Sequence, residues 1–145
     1  MPGDALLGIW GVLCLQEAEI IDFDRQAAVF AAANALVLGA STYSEYVHMG
    51  WRQQHPGLRQ LHIPLLADTL KSLATAMGIL DGVERVAYRA TFIIDPENTV
   101  RDVSLYDMRT GRNVDEVLRV LQALQTTALT PCGWQPGEAT IGDVH

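Results

Sequence analysis

The chain has 145 residues, of which 49% are hydrophobic and 19% are charged. This length suits one ordinary domain with a real core, and the composition excludes a disordered chain. The 17 acidic residues outnumber the 10 basic ones and give a formal charge of −7, which argues against binding to nucleic-acid backbones. The two cysteines, Cys14 and Cys132, are too few for a disulfide scaffold or a zinc site made of cysteines.

The longest apolar run covers residues 5–15. It is too short to cross a bilayer, and no Lys or Arg precedes it as in a secretory signal peptide. We therefore expect a cytoplasmic protein that contacts neither membrane nor nucleic acid.

The first half of the chain alternates strand and helix patterns. Residues 6–15 form an apolar run that predicts a buried strand, and residues 36–38 predict a second one. Between them, residues 18–34 carry apolar side chains at helical spacing and predict one amphipathic helix. A further helix is expected over residues 45–54, where residues 41–44 supply candidate caps at its start.

The second half predicts a short extended segment at residues 63–66, followed by a helix that Asp68 or Thr69 caps and that runs through Met77. A hairpin follows, with strands over residues 89–94 and 100–105 and a turn at residues 95–98. The last helix opens at Asn113 or Asp115. Its apolar face consists of Val114, Val117, Leu118, Leu121 and Leu124.

This order predicts an α/β protein in which helices cover both faces of a sheet. We expect a domain over residues 1–126 and a tail over residues 127–145, which contains Pro131, Gly133, Pro136 and Gly137.

Several segments carry recognisable motifs: residues 38–51 (LGASTYSEYVHMGW), 63–68 (IPLLAD) with 73–80 (LATAMGIL), 89–97 (RATFIIDPE), 111–125 (GRNVDEVLRVLQALQ) and 132–141 (CGWQPGEATI). In this order they resemble peroxiredoxins of the alkyl hydroperoxide reductase C, or typical two-cysteine, type. The resemblance implies a thioredoxin-like fold with a central mixed sheet flanked by helices. It also implies reduction of hydrogen peroxide and organic hydroperoxides by a reactive cysteine, without a bound metal or other cofactor.

The chain departs from that family around both cysteines. The family's reactive cysteine stands in the pattern Phe-Val-Cys-Pro-Thr-Glu-Ile, and matching its end to Glu19 without a gap places Gln16 at the cysteine. Cys14 lies two residues before that place. The family's resolving cysteine falls at Thr130, two residues before Cys132. The family's N-terminal strands are also expected to be missing.

The resemblance implies a role for each remaining site residue. Arg89 matches the arginine that lowers the pKa of the reactive thiol and binds the peroxide. Glu19 and Arg112 match the pair that orients this arginine. A two-residue insertion after Cys14 would bring its sulfur to the helix start facing Arg89, and Cys132 or an external thiol would then resolve the sulfenic acid.

Two interpretations stay open. In the first, Cys14 is the nucleophile of a weak peroxidase, although apolar surroundings disfavour a thiolate there. In the second, Cys14 is a small core residue, and the protein is a catalytically silent interaction or oligomerisation module. The position of the Cys14 sulfur discriminates between them. A thiol-disulfide exchange protein is less favoured, because the chain contains no C-x-x-C motif.

Two further expectations concern metals and assembly. His48, His55 and His62 are spaced by seven, but no cysteine or paired carboxylates accompany them, so we expect no metal site. The family pairs the strand that corresponds to residues 101–105 across a two-fold axis. We therefore expect a homodimer or a larger ring.

Overall fold

The computed structural model describes residues 10–15, 20–56, 59, 61–83, 85, 87–107, 110–111 and 113–141, with the backbone alone at positions 14 and 15. The chain divides into two compact units, residues 1–112 and 113–145. The predicted division at residue 126 between domain and tail stays a prediction.

The first unit contains a five-stranded sheet and short helices. Its elements are, in chain order, β1 (Trp10–Leu15), α1 (Ile20–Arg25), α2 (Ala27–Ala32), β2 (Ala35–Ser41), α3 (Glu45–Gln54), β3 (Leu65–Ala67), α4 (Ser72–Ala76), β4 (Arg89–Ile94) and β5 (Val100–Tyr106). The second unit contains α5 (Val114–Gln125) and the C-terminal tail.

The sheet is mixed, as the resemblance implies, and its strand order is β3-β2-β1-β4-β5. β1 and β3 run parallel to β2, whereas β4 runs antiparallel to both β1 and β5. Val12 on the central strand β1 pairs with Val37 and Ile93, and all three side chains are buried. A second buried cluster joins the sheet to α4 and its flanks, and comprises Leu13, Ala40, Ala74, Ile79, Ala87, Ala90 and Phe92.

The single helix predicted over residues 18–34 is wrong, because the chain forms two six-residue helices there. Gln26 separates them, with φ −100° and ψ 7°. The apolar spacing nevertheless continues across the break, and the rings of Phe23 and Phe30 stack with their centroids 6.2 Å apart. Hydrophobic periodicity therefore identified the buried face and could not reveal the interruption.

Helix α3 has its predicted bounds. Ser44 caps it, since its hydroxyl accepts a hydrogen bond from the backbone N–H of Val47 at 3.3 Å. Glu45 in the first turn and Arg52 in the last turn both complement the helix dipole.

Helix α4 is shorter than the helix that was predicted to follow a cap at Asp68 or Thr69 and to run through Met77. Lys71 adopts a left-handed conformation (φ 59°), so regular helix begins only at the next residue. Asp68 still caps the helix, because its buried carboxylate accepts the N–H groups of Leu73 and Ala74 at 3.0 and 2.8 Å.

The β4–β5 hairpin confirms the predicted strands and turn, with β5 one residue longer than expected. Within the turn, Asp95 accepts backbone N–H groups from Thr99 at 2.8 Å and Glu97 at 2.9 Å, and Arg101 lies 3.3 Å away. The hydrogen bond from Thr99, followed by that from Glu97 and the charge of Arg101, holds the pKa of Asp95 below its usual value.

Helix α5 begins after Asn113, whose side chain accepts the N–H of Glu116 at 3.2 Å, as one of the two predicted caps. The predicted apolar face is confirmed most clearly at Val114, Val117 and Leu121, which are buried.

Candidate functional site

Cys14 lies in strand β1, in the middle of the sheet. Its backbone is in register with Gly39 on β2 and with Thr91 on β4. An insertion was expected to bring the Cys14 sulfur to the start of a helix. In the structure, strand pairing on both sides holds the backbone of residue 14 in β1, six residues before Ile20 opens α1. The position of its sulfur stays a prediction.

Arg89 is the first residue of β4 and is half-buried. Its residue number is two below that of Thr91, so positions 14 and 89 are diagonal neighbours in the antiparallel pair. Such positions lie about 7–8 Å apart. The strand pairing therefore brings the backbone of Cys14 close to the arginine that the sequence predicts as its activator.

The segment before Arg89 is fixed by a side-chain hydrogen bond. The hydroxyl of Tyr88 donates to Asp81 at 2.9 Å, and this bond together with the charge of Asp81 raises the pKa of Tyr88. Tyr88 therefore keeps its proton at neutral pH and anchors the chain just ahead of β4.

The remaining members of the predicted cradle, Glu19 and Arg112, lie outside the described residues, as does Gln16 at the aligned cysteine position. Their contacts with Arg89 stay predictions. The described backbone shows that Leu15, the last residue of β1, pairs with Ala90, the residue after Arg89.

Thr91 is a candidate site residue that sequence reasoning missed. It is 1% exposed, and its hydroxyl has no hydrogen-bond partner among the described atoms. It lies directly opposite Cys14. A threonine in a strand pattern does not reveal which residue lies opposite it, because β1 and β4 are far apart in the sequence.

Cys132, the predicted resolving residue, belongs to the second unit. It is exposed and free. It lies in a turn closed by a hydrogen bond from the N–H of Trp134 to the carbonyl of Pro131 at 3.2 Å. An exposed thiol at a turn can attack the sulfur of a sulfenic acid or of a disulfide.

Arg119 is a second candidate residue that the sequence alone did not identify. Its guanidinium donates two hydrogen bonds to the carboxylate of Glu116, at 2.6 and 2.7 Å, and a third to the carbonyl of Trp134 at 2.9 Å. The hydrogen bonds and charges of this pair lower the pKa of Glu116 and raise that of Arg119. The i,i+3 spacing of the pair is readable in the sequence, but the contact with the tail is not.

The histidines are held by separate partners. His48 is buried, and its Nε2 lies 2.5 Å from the hydroxyl of Ser41, while its ring packs 5.1 Å from that of Trp51. His62 lies on Asp24, to which its backbone N–H donates at 2.6 Å. Among the described residues, no group of three or more His, Cys, Asp or Glu is placed to hold a metal ion.

Among the helices that the structure describes, none is long and apolar enough to cross a bilayer.

Comparison with known families and proteins agrees with the resemblance. Residues 13–103 match the family model described as AhpC/TSA family. The chain is 46% identical over 123 residues to alkyl hydroperoxide reductase C of Mycolicibacterium smegmatis, covering 85% of this chain and 63% of that protein. It is 45% identical over 130 residues to peroxiredoxin TSA1 of Saccharomyces cerevisiae, covering 85% and 66%. The chain thus spans slightly less than two thirds of the length of these relatives.

Solved structures confirm the thioredoxin-like fold that the sequence predicts. Mycobacterium bovis AhpC aligns with a TM-score of 0.79 at 40% identity, covering 88% of this chain and 75% of that one. The reduced 2-Cys peroxiredoxin of Plasmodium vivax aligns with a TM-score of 0.85 at 27% identity, covering 91% and 76%. The expected loss of N-terminal strands stays a prediction.

Proposed function

Because the chain belongs to the AhpC/TSA family, we propose that it is a thiol peroxidase of low activity that reduces hydrogen peroxide and organic hydroperoxides. Cys14 is the nucleophile, Arg89 activates it, Glu19 and Arg112 orient Arg89, and Cys132 resolves the product. The protein acts in the cytoplasm, where thiol reductants return disulfides to thiols.

The reaction has two steps. The thiolate of Cys14 attacks one peroxide oxygen, the O–O bond breaks, and the second oxygen leaves as water or an alcohol after taking a proton. The resulting sulfenic acid is attacked by the thiol of Cys132. An S–S bond forms, the S–O bond breaks, and the oxygen leaves as water. A thiol reductant then restores both cysteines.

The observation that carries this proposal is the register of β1 against β4. It places Cys14 diagonal to Arg89 at the end of a central strand. A neighbouring guanidinium favours the thiolate, which is the reactive form, and supplies hydrogen-bond donors for a peroxide oxygen. The low activity follows from the replaced residues. Leu13 and Ile9, or Gly11 and Leu7 after a two-residue shift, stand where the family has the Thr and Pro of its peroxide pocket.

A silent interaction module is the second candidate, and the same strand favours it. Cys14 is hydrogen-bonded into the sheet between β2 and β4, and Gln16, which has no nucleophilic thiol, holds the aligned cysteine position. In that case the fold keeps its assembly surfaces without turnover.

Peroxide consumption by the reduced protein separates the two candidates. We expect consumption faster than that of a free thiol, abolished in Cys14→Ser and limited to one turnover in Cys132→Ser. Consumption equal to that of free cysteine would support the silent module, and fast consumption that is unchanged in Cys14→Ser would contradict Cys14 as the nucleophile.

The proposed assembly is a homodimer formed by antiparallel pairing of β5 with β5 of a second copy. β5 is the last strand of the described sheet, and Val103 and Leu105 are each 53% exposed on it. An edge strand with half-exposed apolar side chains favours pairing with another chain. Sedimentation at micromolar concentration tests this, and a clean monomer would contradict it.

A further inference from the structure

The tail forms a closed loop that presents Cys132. A backbone hydrogen bond of 2.7 Å joins the two ends of residues 129–141, which we call the tail loop. The turn from Pro131 to Trp134 lies within it. Gly133, with φ 71°, occupies the third position of this turn, as a type II turn requires. Cys132 is therefore the second residue of the turn, at its outer corner, and is exposed.

Trp134 anchors this turn from one side. It is 4% exposed, and its indole N–H donates to the carbonyl of Glu138 at 3.0 Å. The carboxylate of Glu138 in turn accepts the backbone N–H of Gln135 at 2.9 Å. A second turn, with Gly137 at φ 91°, closes this part of the loop. Trp134, the last residue of the Cys132 turn, is thus fixed within the tail itself.

Arg119 anchors the same turn to helix α5. Arg119 forms a bidentate pair with Glu116, and its two parallel hydrogen bonds to one carboxylate fix the orientation of the guanidinium plane. The remaining amino group donates to the carbonyl of Trp134 at 2.9 Å. Arg119 is the only Lys or Arg in residues 113–145, so no other cation of the second unit can replace it.

We propose that Arg119 is the positioning residue for Cys132. By joining the carbonyl of Trp134 to α5, it holds the turn that carries the thiol in one geometry. This inference rests on the proposed function, in which Cys132 attacks the sulfenic acid. Arg119 takes no part in the bond changes. It raises the rate of disulfide formation by limiting the orientations that the thiol must search.

Mobility of the tail loop tests the proposal without any peroxide chemistry. A nitroxide label attached to Cys132 in the full-length Cys14→Ser protein reports the motion of the turn. We expect Arg119→Gln to shorten the correlation time of the label at least threefold. The matched control is Arg25→Gln, which removes another i,i+3 arginine–carboxylate pair on a helix and should leave the label unchanged. Equal mobility in Arg119→Gln and the parent protein would overturn the proposal.

Single-turnover kinetics in the protein with both cysteines supply the functional readout. We expect Arg119→Gln to slow disulfide formation about tenfold while the rate of sulfenic acid formation stays unchanged. A general loss of structure would instead slow both steps. Arg119→Lys should not restore the rate of disulfide formation, because one ammonium group cannot make both hydrogen bonds to Glu116 and also reach the carbonyl of Trp134.

The two experiments separate failure of the inference from failure of the proposed function. If the parent protein forms no sulfenic acid, the peroxidase proposal fails, and label mobility still decides whether Arg119 positions Cys132. If sulfenic acid forms and the disulfide rate is equal in Arg119→Gln, the positioning role is overturned.

Discussion

Thr91→Val should stabilise the protein and at the same time report on Cys14. The Thr91 hydroxyl is buried, at 1% residue exposure, without a hydrogen-bond partner among the described atoms. A buried unpaired polar group costs about 1–3 kcal/mol, whereas valine has nearly the same shape and an equal preference for strands. Allowing for imperfect repacking, we expect a gain of about 1 kcal/mol, equivalent to about 2–4 °C in Tm for a chain of this size.

Urea unfolding of the reduced protein measures this gain, and Thr91→Ser is the matched control. Serine keeps the hydroxyl but removes a buried methyl group, so it should cost about 1 kcal/mol. A destabilisation by Thr91→Val would refute the reasoning, because it would show that the hydroxyl has a partner.

A double-mutant cycle with Cys14→Ala identifies that partner. Because Thr91 and Cys14 are direct cross-strand neighbours, we expect their packing to couple the two substitutions by no more than about 1 kcal/mol. A larger coupling would mean that the Thr91 hydroxyl bonds the Cys14 sulfur within the sheet. That outcome would favour the silent module over the peroxidase.

Three further predictions concern the fold and the assembly. Asp68→Ala should lower the free energy of unfolding by about 2 kcal/mol, because two backbone N–H groups at the start of α4 lose their acceptor; a loss below about 0.5 kcal/mol in urea unfolding would contradict this. Asp95→Asn should lower stability at pH 7. Because folding depresses the pKa of Asp95, its contribution is present above its ordinary value of 3.8 and is lost as pH falls further. The gap between the unfolding midpoints of the two proteins should therefore close at acidic pH, and a gap constant from pH 7 to pH 3 would refute the assignment. Val103→Lys should shift sedimentation toward the monomer by weakening the β5 edge, whereas Val83→Lys, at an exposed loop residue, should not; equal behaviour of the two variants would place the dimer interface elsewhere.

Local chemistry explains which elements the sequence predicted well. The bounds of α3 follow from Ser44 as a cap, and β4 follows from a run of β-branched and aromatic residues ending at a turn centred on Asp95. The continuous helix over residues 18–34 was wrong because the break at Gln26 leaves the apolar period intact. The start of α4 was wrong because the left-handed conformation of Lys71 has no clear signature in the sequence.

Within the candidate site, the sequence predicted only the residues that belong to recognisable motifs. The resemblance identified Arg89 and the cysteines, but the pairing of Cys14 with Thr91 depends on strand register, which no local pattern encodes. The contact between Arg119 and the Trp134 carbonyl depends in the same way on where the tail folds back. Both required the three-dimensional arrangement.

Trapping of the sulfenic acid shows whether Cys14 reacts with peroxide. Reduced Cys132→Ser protein is treated with one equivalent of hydrogen peroxide in the presence of a cyclic 1,3-diketone, and intact mass and peptide mapping locate the adduct. We expect one adduct on Cys14, strongly reduced in an added Arg89→Gln substitution. An unmodified Cys14, with the peroxide left unconsumed, would contradict the peroxidase proposal and leave the interaction module in its place.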